Sequence, residues 1–401
     1  MKDKQLFLKR VTLRNYKSIA AAAIDLRPLT FLVGPNGSGK SNFLDGLRFT
    51  RDALRSSLDH ALRDRGGIAE VRRRSGGHPN HFGIRFDFEL PKSWGHYAFR
   101  IGAKAQGGYE VQTEECVIHG AEEARFVVRA GEVAGTHNGT PLPAATKDRL
   151  FLVNASGLPA FRPLYDALSG MGFYSLNPDR LRDLQSPDSG DLLARDGSNL
   201  TSVLRQLATH DAMRKARIEE YLSNVVPGVR GVEVKDVGPK ATLEFRQEVA
   251  GSADPWRFLA ANMSDGTLRA LGVLVALFQT AGLGIQTVRL IGIEEPEVAL
   301  HPGAAEILLD ALREASALAQ VIVATHSPDL LDSADLDSEL ILAVTSAKGE
   351  TQIAPVDEPS REALRRGLYT AGELLRLDQL RPDPKLFGEA KRLPLFEGAE
   401  L

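Results

Sequence analysis

The 401-residue sequence has a single cysteine, Cys116. It can form no internal disulfide, and a reducing compartment is the expectation. Long apolar runs are also missing. The longest, residues 270–278, falls well short of the ~20 residues that span a bilayer core. The opening MKDKQLFLKR lacks the apolar centre of a secretory signal, so a cytoplasmic chain without a membrane partner is expected. An excess of one charge is absent too: 49 Lys and Arg face 52 Asp and Glu, a net charge of −3. The whole-chain field therefore does not announce nucleic acid, and only a local basic surface stays open. Neither a fixed-period repeat nor a heptad run long enough for a coiled coil is found. The hydrophobic content of 43% and charged content of 25% are those of a globular chain with a sizeable core, here expected as two lobes.

What the chain does have is GPNGSGKS at residues 34–41, a fit to G-x-x-x-x-G-K-[ST]. The apolar, β-prone LTFLV precedes it. After it, residues 42–49 carry apolar Phe43, Leu44, Leu47 and Phe49 at helical spacing. Strand, glycine loop and helix form the context such a phosphate-binding loop needs. A triphosphate requires many donors at short range. Gly34, Gly37 and Gly39 let successive N–H groups turn inward past Pro35, Asn36 and Ser38 with no Cβ in the way. The helix adds its free N-terminal N–H groups. Lys40 can reach the β- and γ-phosphates and Ser41 can ligate Mg2+.

Before the loop, residues 6–13 and 20–26 read as strands feeding the same sheet edge as LTFLV. Between them lies RNYKSI, whose Asn15, Lys17 and Ser18 are by themselves a polar turn. Residues 51–65 continue the loop helix as an amphipathic stretch that Gly66 and Gly67 end. Arg72, Arg73 and Arg74 come next, in a loop; three arginines can touch phosphates, though such a run is more often solvated. Residues 82–133 turn to period two and predict four antiparallel strands, with a hairpin at Gly107 and Gly108. Residues 136–147 read as a loop. Residues 161–223 are expected to be mainly helical, broken at Asn177-Pro178 and residues 186–190, with residues 196–199 capping a helix over 200–207. Residues 229–237 and 241–249 predict another strand pair.

Three further stretches carry chemistry. TVRLIGI at 287–293 is a buried strand by composition and ends in Glu294, Glu295, Pro296 and Glu297. An acid at a strand end sits where α/β sheets bind ligands. Glu294 is placed to hold Mg2+ and Glu295 to polarise an attacking water; ordinary acidic decoration of a helix start is the plainer alternative. A helix over 304–318 and a second buried strand, 320–324, lead to His326, which alone is a capping or core histidine but in this order is read as a site residue able to hydrogen-bond a γ-phosphate. Ser264, Asp265 and Gly266 open a long apolar helix, 268–281. They serve equally well as a plain N-cap or as a phosphate cover. Residues 340–344 give a last strand, and alternation of strand and helix predicts a mostly parallel sheet. Asp335 and Asp337 mimic a metal pair but read as a solvated loop. The tail beyond 359 carries short helices and thins into Pro- and charge-rich sequence.

In this order the motifs resemble the ABC-type ATPase heads of the SMC, RecF and OLD group, in its short form without a Toprim nuclease domain. RNYKS resembles an N-terminal element near the nucleotide, which adds Asn15, Lys17 and Ser18 to the loop residues and Asn42 as nucleotide-binding. MSDGT resembles the signature, adding Ser264 and Gly266. IGIEEPE resembles Walker B, LHP the D-loop region after it, and ATHSP the switch histidine. The resemblance implies an α/β P-loop NTPase with a mostly parallel core sheet, an antiparallel β-region and a helical lobe. Its segments would be 1–160, 161–282, 283–358 and a tail at 359–401. It implies ATP and Mg2+ as cofactors, with Lys40, Glu295 and His326 catalytic and Ser41 and Glu294 on the metal. It further implies a head-to-tail homodimer formed on ATP, and a separately encoded nuclease or effector in DNA repair or antiviral defence, with nucleic acid as an open partner. Walker B normally ends Asp-Glu. The longer Glu294 keeps a second reading alive, an ATP-stabilised scaffold with little turnover. A nuclease in its own right is the weakest reading, because no complete metal-acid set appears.

Overall fold

In a computed structural model the described residues are 6–75, 79–120, 123–133, 142–279, 288–333 and 336–397. Strand β1 (Leu8–Tyr16) pairs antiparallel with β2 (Ile19–Asp25) through a two-residue turn. β3 (Leu29–Val33) is buried at every position, as an apolar run covered on both faces must be. Helix α1 (Lys40–Arg55) buries Phe43, Leu44, Leu47 and Leu54 on one side. The expected continuation is a separate helix, α2 (Leu58–Arg63), because the Ser57 hydroxyl accepts from the His60 N–H and starts a new one. Gly66 and Gly67 do stop it: both have positive φ, and the Gly67 N–H returns to the Leu62 carbonyl at 2.8 Å. One helical turn, α3 (Ile68–Val71), comes after them.

The period-two region becomes β4 (His81–Leu90), β5 (Ser93–Ala103), β6 (Tyr109–Gly120), β7 (Ala124–Arg129) and the short β8 (Glu132–Val133). The sheet runs in the order β2-β1-β4-β5-β6-β7-β8, antiparallel throughout. The first two strands therefore join this sheet and not the one that holds β3, contrary to the single shared edge that the sequence suggests. β1 has buried residues at Leu8, Val11–Leu13 and Tyr16 and more open ones at Lys9, Arg10, Arg14 and Asn15, whereas β3 has no solvent face. Helices α4 (Leu152–Ala155) and α5 (Arg162–Ser169) come next. The Glu114 carboxylate on β6 is fully buried and accepts from Phe151 N–H at 2.5 Å, Leu152 N–H at 2.8 Å and the Tyr97 hydroxyl at 2.9 Å. Burial outweighs those donors and pushes this carboxyl up to about 7. The native state thus keeps a proton that the unfolded chain gives up near the ordinary carboxylate value. The stability this contributes is complete below about 4.5 and disappears as pH rises towards 7, a change on the order of 1–3 kcal/mol. Urea midpoints measured at pH 5 and pH 7.5 will show this loss in the unaltered chain. Glu114→Gln, which cannot titrate, will lack it.

The stretch expected to be mainly helical contains a strand, β9 (Gly172–Tyr174), too short to show any period. Asn177-Pro178 does not break a helix but begins one, α6 (Pro178–Arg182), with the Asn177 side chain accepting from Asp179 N–H. Helices α7 (Leu200–His210) and α8 (Ala212–Val225) lie as expected. Asn199 precedes α7 without a side-chain cap, since its side-chain oxygen Oδ1 accepts from Ala194 N–H instead. β10 (Val229–Val237) and β11 (Lys240–Gln247) form the second antiparallel pair, extended by an unexpected β12 (Trp256–Leu259). Then come α9 (Asp265–Phe278), β13 (Leu290–Glu294), α10 (Ala305–Ala315) and β14 (Gln320–Thr325). β13 pairs parallel with both β14 and β9. β15 (Ile341–Ala347) pairs parallel with β3 and antiparallel with β16 (Glu350–Pro355), a strand the sequence does not suggest. The chain closes with α11 (Glu358–Arg365), α12 (Ala371–Arg376) and α13 (Lys385–Arg392).

Two compact units result. One comprises Met1–Met171, Asp337–Tyr369 and Leu377–Leu401; the other comprises Gly172–Leu336 and Thr370–Arg376. In the first unit the tail does not simply thin out. Leu395 and Phe396 are buried with Ala98 of β5, and the Arg14 guanidinium donates to the Leu393 carbonyl at 2.6 Å. Asp335, residues 136–141 of the expected loop, and the adjoining ends of the expected helix and strand at Ala281 and Thr287 lie outside the described residues. None of the described helices is long and apolar enough to cross a membrane.

Candidate functional site

In the first unit, β3 delivers the chain into the glycine loop. A Cβ on Gly34 would lie 2.0 Å from the Val344 carbonyl oxygen of β15, so only glycine lets the loop leave the sheet here. Gly39 has φ 107° and a Cβ there would meet Thr351 Oγ1 at 2.0 Å. Gly37 has φ 75° with open space around it. Pro35 and Asn36 are exposed at the tip. The Lys40 ammonium folds back across the loop, donating to the carbonyls of Gly34 at 2.7 Å and Pro35 at 3.0 Å. Ser38 Oγ is buried without a hydrogen-bond partner among the described residues. A buried hydroxyl left unsatisfied costs free energy. A phosphate oxygen is the kind of acceptor that would satisfy it, so the loop fits the group its sequence implies. Ser41 stands exposed at the start of α1.

The RNYKS element divides its roles. Asn15 and Lys17 both have positive φ, and their backbones are held by Arg73 N–H to Asn15 O at 2.7 Å and Lys17 N–H to Val71 O at 2.8 Å. The Lys17 ammonium sits 2.6 Å from Asp45. Asp45 also receives Arg65, Arg48 and the Tyr16 hydroxyl. Burial alone raises the Asp45 carboxyl, but Arg65, Arg48 and Lys17 pull it well below the carboxylate range. Burial and Asp45 together push the Tyr16 hydroxyl well above its usual value. Lys17 is thus engaged by the second turn of α1, and Ser18 is the member that reaches the loop. Its hydroxyl accepts from Asn42 Nδ2 at 2.6 Å and lies 2.7 Å from Thr351 Oγ1. Each of the three arginines has a partner within the chain. Arg72 donates to Pro79 O, Arg73 donates to Ser18 O at 2.6 Å, and Arg74 pairs with Glu70.

In the second unit, β13 ends at Glu294 and the backbone of Glu295 turns left-handed at φ 48°. A non-glycine residue there carries strain of about 1 kcal/mol, held only by its surroundings. The surroundings are specific: Glu295 N–H donates to Ala324 O at 2.8 Å, and Arg269 of α9 donates to Glu295 O at 3.2 Å. The Glu295 carboxylate lies 3.0 Å from His326 Nδ1, off the line of a hydrogen bond. Both side chains are part-exposed, while the His326 Nδ1 atom itself is buried. Glu297 accepts from the Thr325 hydroxyl at 2.5 Å, and the same hydroxyl takes the Ser327 N–H at 2.9 Å. Burial raises the Glu297 carboxyl, and its second oxygen has no partner among the described residues. Glu294 pairs with Arg195 at 3.0 Å.

Ser264 caps α9, accepting from Thr267 N–H at 3.2 Å. A Cβ on Gly266 would come within 2.3 Å of the Ala299 carbonyl oxygen. The signature stretch therefore packs against the loop beyond the acid pair. Among the described residues no group of three or more His, Cys, Asp or Glu is set to hold a metal ion. Sequence reasoning missed Thr351, Asp45, Arg195 and Arg269. Only Arg269 left a local trace, as a basic residue one turn into the helix after MSDGT.

A glycine loop between buried strand and helix, and acids ending a buried parallel strand, define an ABC-type P-loop ATPase. The chain belongs to the AAA domain family described as putative AbiEii toxin, Type IV TA system, whose model matches residues 29–110 and 161–332. It is 25% identical over 365 residues to the OLD nuclease of Thermus scotoductus, an alignment covering 81% of this chain and 60% of the relative. The chain thus matches less than two thirds of that relative's length. Among solved structures, the fold resembles an SMC head bound to the C-terminal winged-helix domain of ScpA, with TM-score 0.56, 15% identity, and coverage of 88% of this chain and 99% of that one. It also resembles a Pyrococcus furiosus SMC head with an extended coiled coil, bound to the C-terminal domain of ScpA. There the TM-score is 0.54 at 11% identity, covering 90% of this chain and 99% of that one.

Proposed function

We propose that the chain binds ATP on residues 34–42 and hydrolyses it with Glu295 as base. The observation that carries this is the Glu295–His326 pair, 3.0 Å apart at the ends of neighbouring parallel strands, where α/β sheets hold their ligands. Lys40 leaves its two carbonyls for the β- and γ-phosphates, and the loop N–H groups take the remaining oxygens. Glu295 accepts a proton from water as the water oxygen attacks the γ-phosphorus. The bond to the β–γ bridging oxygen breaks and its electron pair leaves with ADP. His326 donates to a γ-phosphate oxygen. Bound Mg2+, held by Ser41 and Glu294, would neutralise charge on the phosphates.

Arg269 acts on this step through the backbone of Glu295. Arg269→Ala will leave ATP affinity within about 2-fold and lower the maximal rate of phosphate release by about 10-fold, because the strained turn loses a charged donor. Nucleotide titration and steady-state phosphate release, measured on the same preparation, check the two halves of that expectation.

The ATP-bound state is proposed to be a head-to-tail dimer. With Ser264 satisfying Thr267 N–H, the free N–H groups of Asp265 and Gly266 remain to cover the γ-phosphate held by the second copy. The chain would then drive or license a separate partner acting on nucleic acid or in phage defence. The name of the Thermus relative and the family's description support that direction. A second reading, an ATP-stabilised scaffold, is favoured by one observation: Arg195 already neutralises Glu294. Phosphate release separates the two. A hydrolase exceeds Lys40→Ala by more than about 10-fold; a scaffold binds ATP and equals that variant.

A further inference from the structure

We propose that Thr351 is a positioning residue for the phosphate loop, through a directed chain of hydrogen bonds that also recruits Ser18 and Asn42. The inference rests on the reading of residues 34–42 as the ATP site. Thr351 lies on β16, more than 300 positions from the loop in sequence, and is buried. Its hydroxyl donates to the Ser38 carbonyl at 2.9 Å. A hydroxyl has one proton. With that proton on Ser38, the 2.7 Å contact with Ser18 Oγ must be donated by Ser18. Ser18 in turn accepts from the Asn42 amide at 2.6 Å. Every proton is used once, and the chain has a single direction: Asn42 to Ser18 to Thr351 to Ser38.

The backbone fixes the same arrangement, since Thr351 N–H donates to Ser18 O at 3.0 Å. The space is matched as well. Thr351 Oγ1 occupies the place where a Cβ on Gly39 would be, at 2.0 Å. The loop is therefore clasped at Ser38 and Gly39, and the helix behind it at Asn42, by one hydroxyl pair from two other segments. Ser18 and Asn42 act here by shaping the loop. A loop held in shape before ATP arrives loses less entropy on binding, so Thr351 raises affinity without touching the nucleotide.

Thr351→Val keeps the shape and removes the proton; Thr351→Ser keeps the proton. Amide hydrogen exchange of the nucleotide-free protein will show peptides over residues 34–42 exchanging about 10-fold faster in the Val variant, with peptides over 82–103 unchanged. ATP affinity, by titration calorimetry, will fall by about 10-fold, with KM rising in step and kcat within about 2-fold. The Ser variant will restore all of these to within about 2-fold. If Thr351→Val does not fold, Ser18→Ala, which deletes the donor to Thr351, will give the same pattern at about half the size on a logarithmic scale. Unchanged exchange over 34–42 in the folded variant overturns the inference, and so does a Ser variant as loose as the Val one. If the unaltered protein binds no ATP while the Val variant still loosens the loop, the ATP reading falls and the relay stands. If ATP binds and neither exchange nor affinity responds, the relay falls and the ATP reading stands.

Discussion

Glu295→Gln will bind ATP as tightly as the unaltered chain and release phosphate at least about 100-fold more slowly. The substitution is nearly isosteric. Gln keeps an oxygen toward His326, and its backbone retains the Ala324 and Arg269 contacts that hold the left-handed turn. What it loses is the ability to take a proton from the attacking water, which is needed only in the transition state. The loss therefore falls on the rate and not on binding. The γ-phosphate then persists, and with it the head-to-tail contact through Ser264 and Gly266. Gel filtration with ATP and Mg2+ will show the variant as a stable dimer and the unaltered chain as a mixture that returns to monomer as ATP is consumed. Phosphate release equal to the unaltered rate would remove Glu295 from the chemistry. A variant that stays monomeric at saturating ATP would remove the dimer.

Alanine substitution in the loop will rank as Gly34 worst, then Gly39, then Gly37. Gly34→Ala drives a methyl to 2.0 Å from the Val344 carbonyl, a backbone atom fixed by the β3–β15 pairing. Relief requires the strand pair to open, so the variant should lose about 3 kcal/mol or more of stability and bind ATP at least about 100-fold more weakly. Gly39→Ala meets a side chain, Thr351, which can rotate away. Yet φ 107° remains strained for any L-residue, and the displaced hydroxyl no longer holds Ser38. A loss of affinity of about 10- to 100-fold is expected, with stability reduced by about 1–2 kcal/mol. Gly37→Ala has open space and suffers only the cost of positive φ, about 1 kcal/mol. Urea unfolding and ATP titration on the three variants test the order. A Gly37 variant worse than Gly34 would mean that the loop changes shape on binding.

The parts legible in the sequence are those whose chemistry needs neighbours in sequence. Phosphate binding uses consecutive N–H groups, so GPNGSGKS could be recognised as eight residues in a row. Period two announced β4, whose burial alternates from Ile84 to Leu90; β5 to β7 were found beside it although parts of them are buried on both faces. Short or edge elements left no such trace: β9 has three residues, and β12 and β16 are edge strands of four and six residues. The break between α1 and α2 was hidden because Leu54, Leu58 and Leu62 keep helical spacing across it.

The sequence by itself determined that this chain carries a phosphate loop, an acid pair ending a buried strand, and a histidine ending the next, each written within a few residues. Tertiary structure alone decided that the Lys17 ammonium pairs with Asp45, that Arg72 and Arg73 tie down neighbouring backbone, and that Arg269 grips the turn at Glu295. It also brought Ser18, Asn42 and Thr351 to one line of hydrogen bonds. The physical reason is that a buried donor must find an acceptor wherever the fold supplies one. For Thr351 that acceptor lies 313 positions away, at the Ser38 carbonyl, a distance over which no local pattern of side chains carries information.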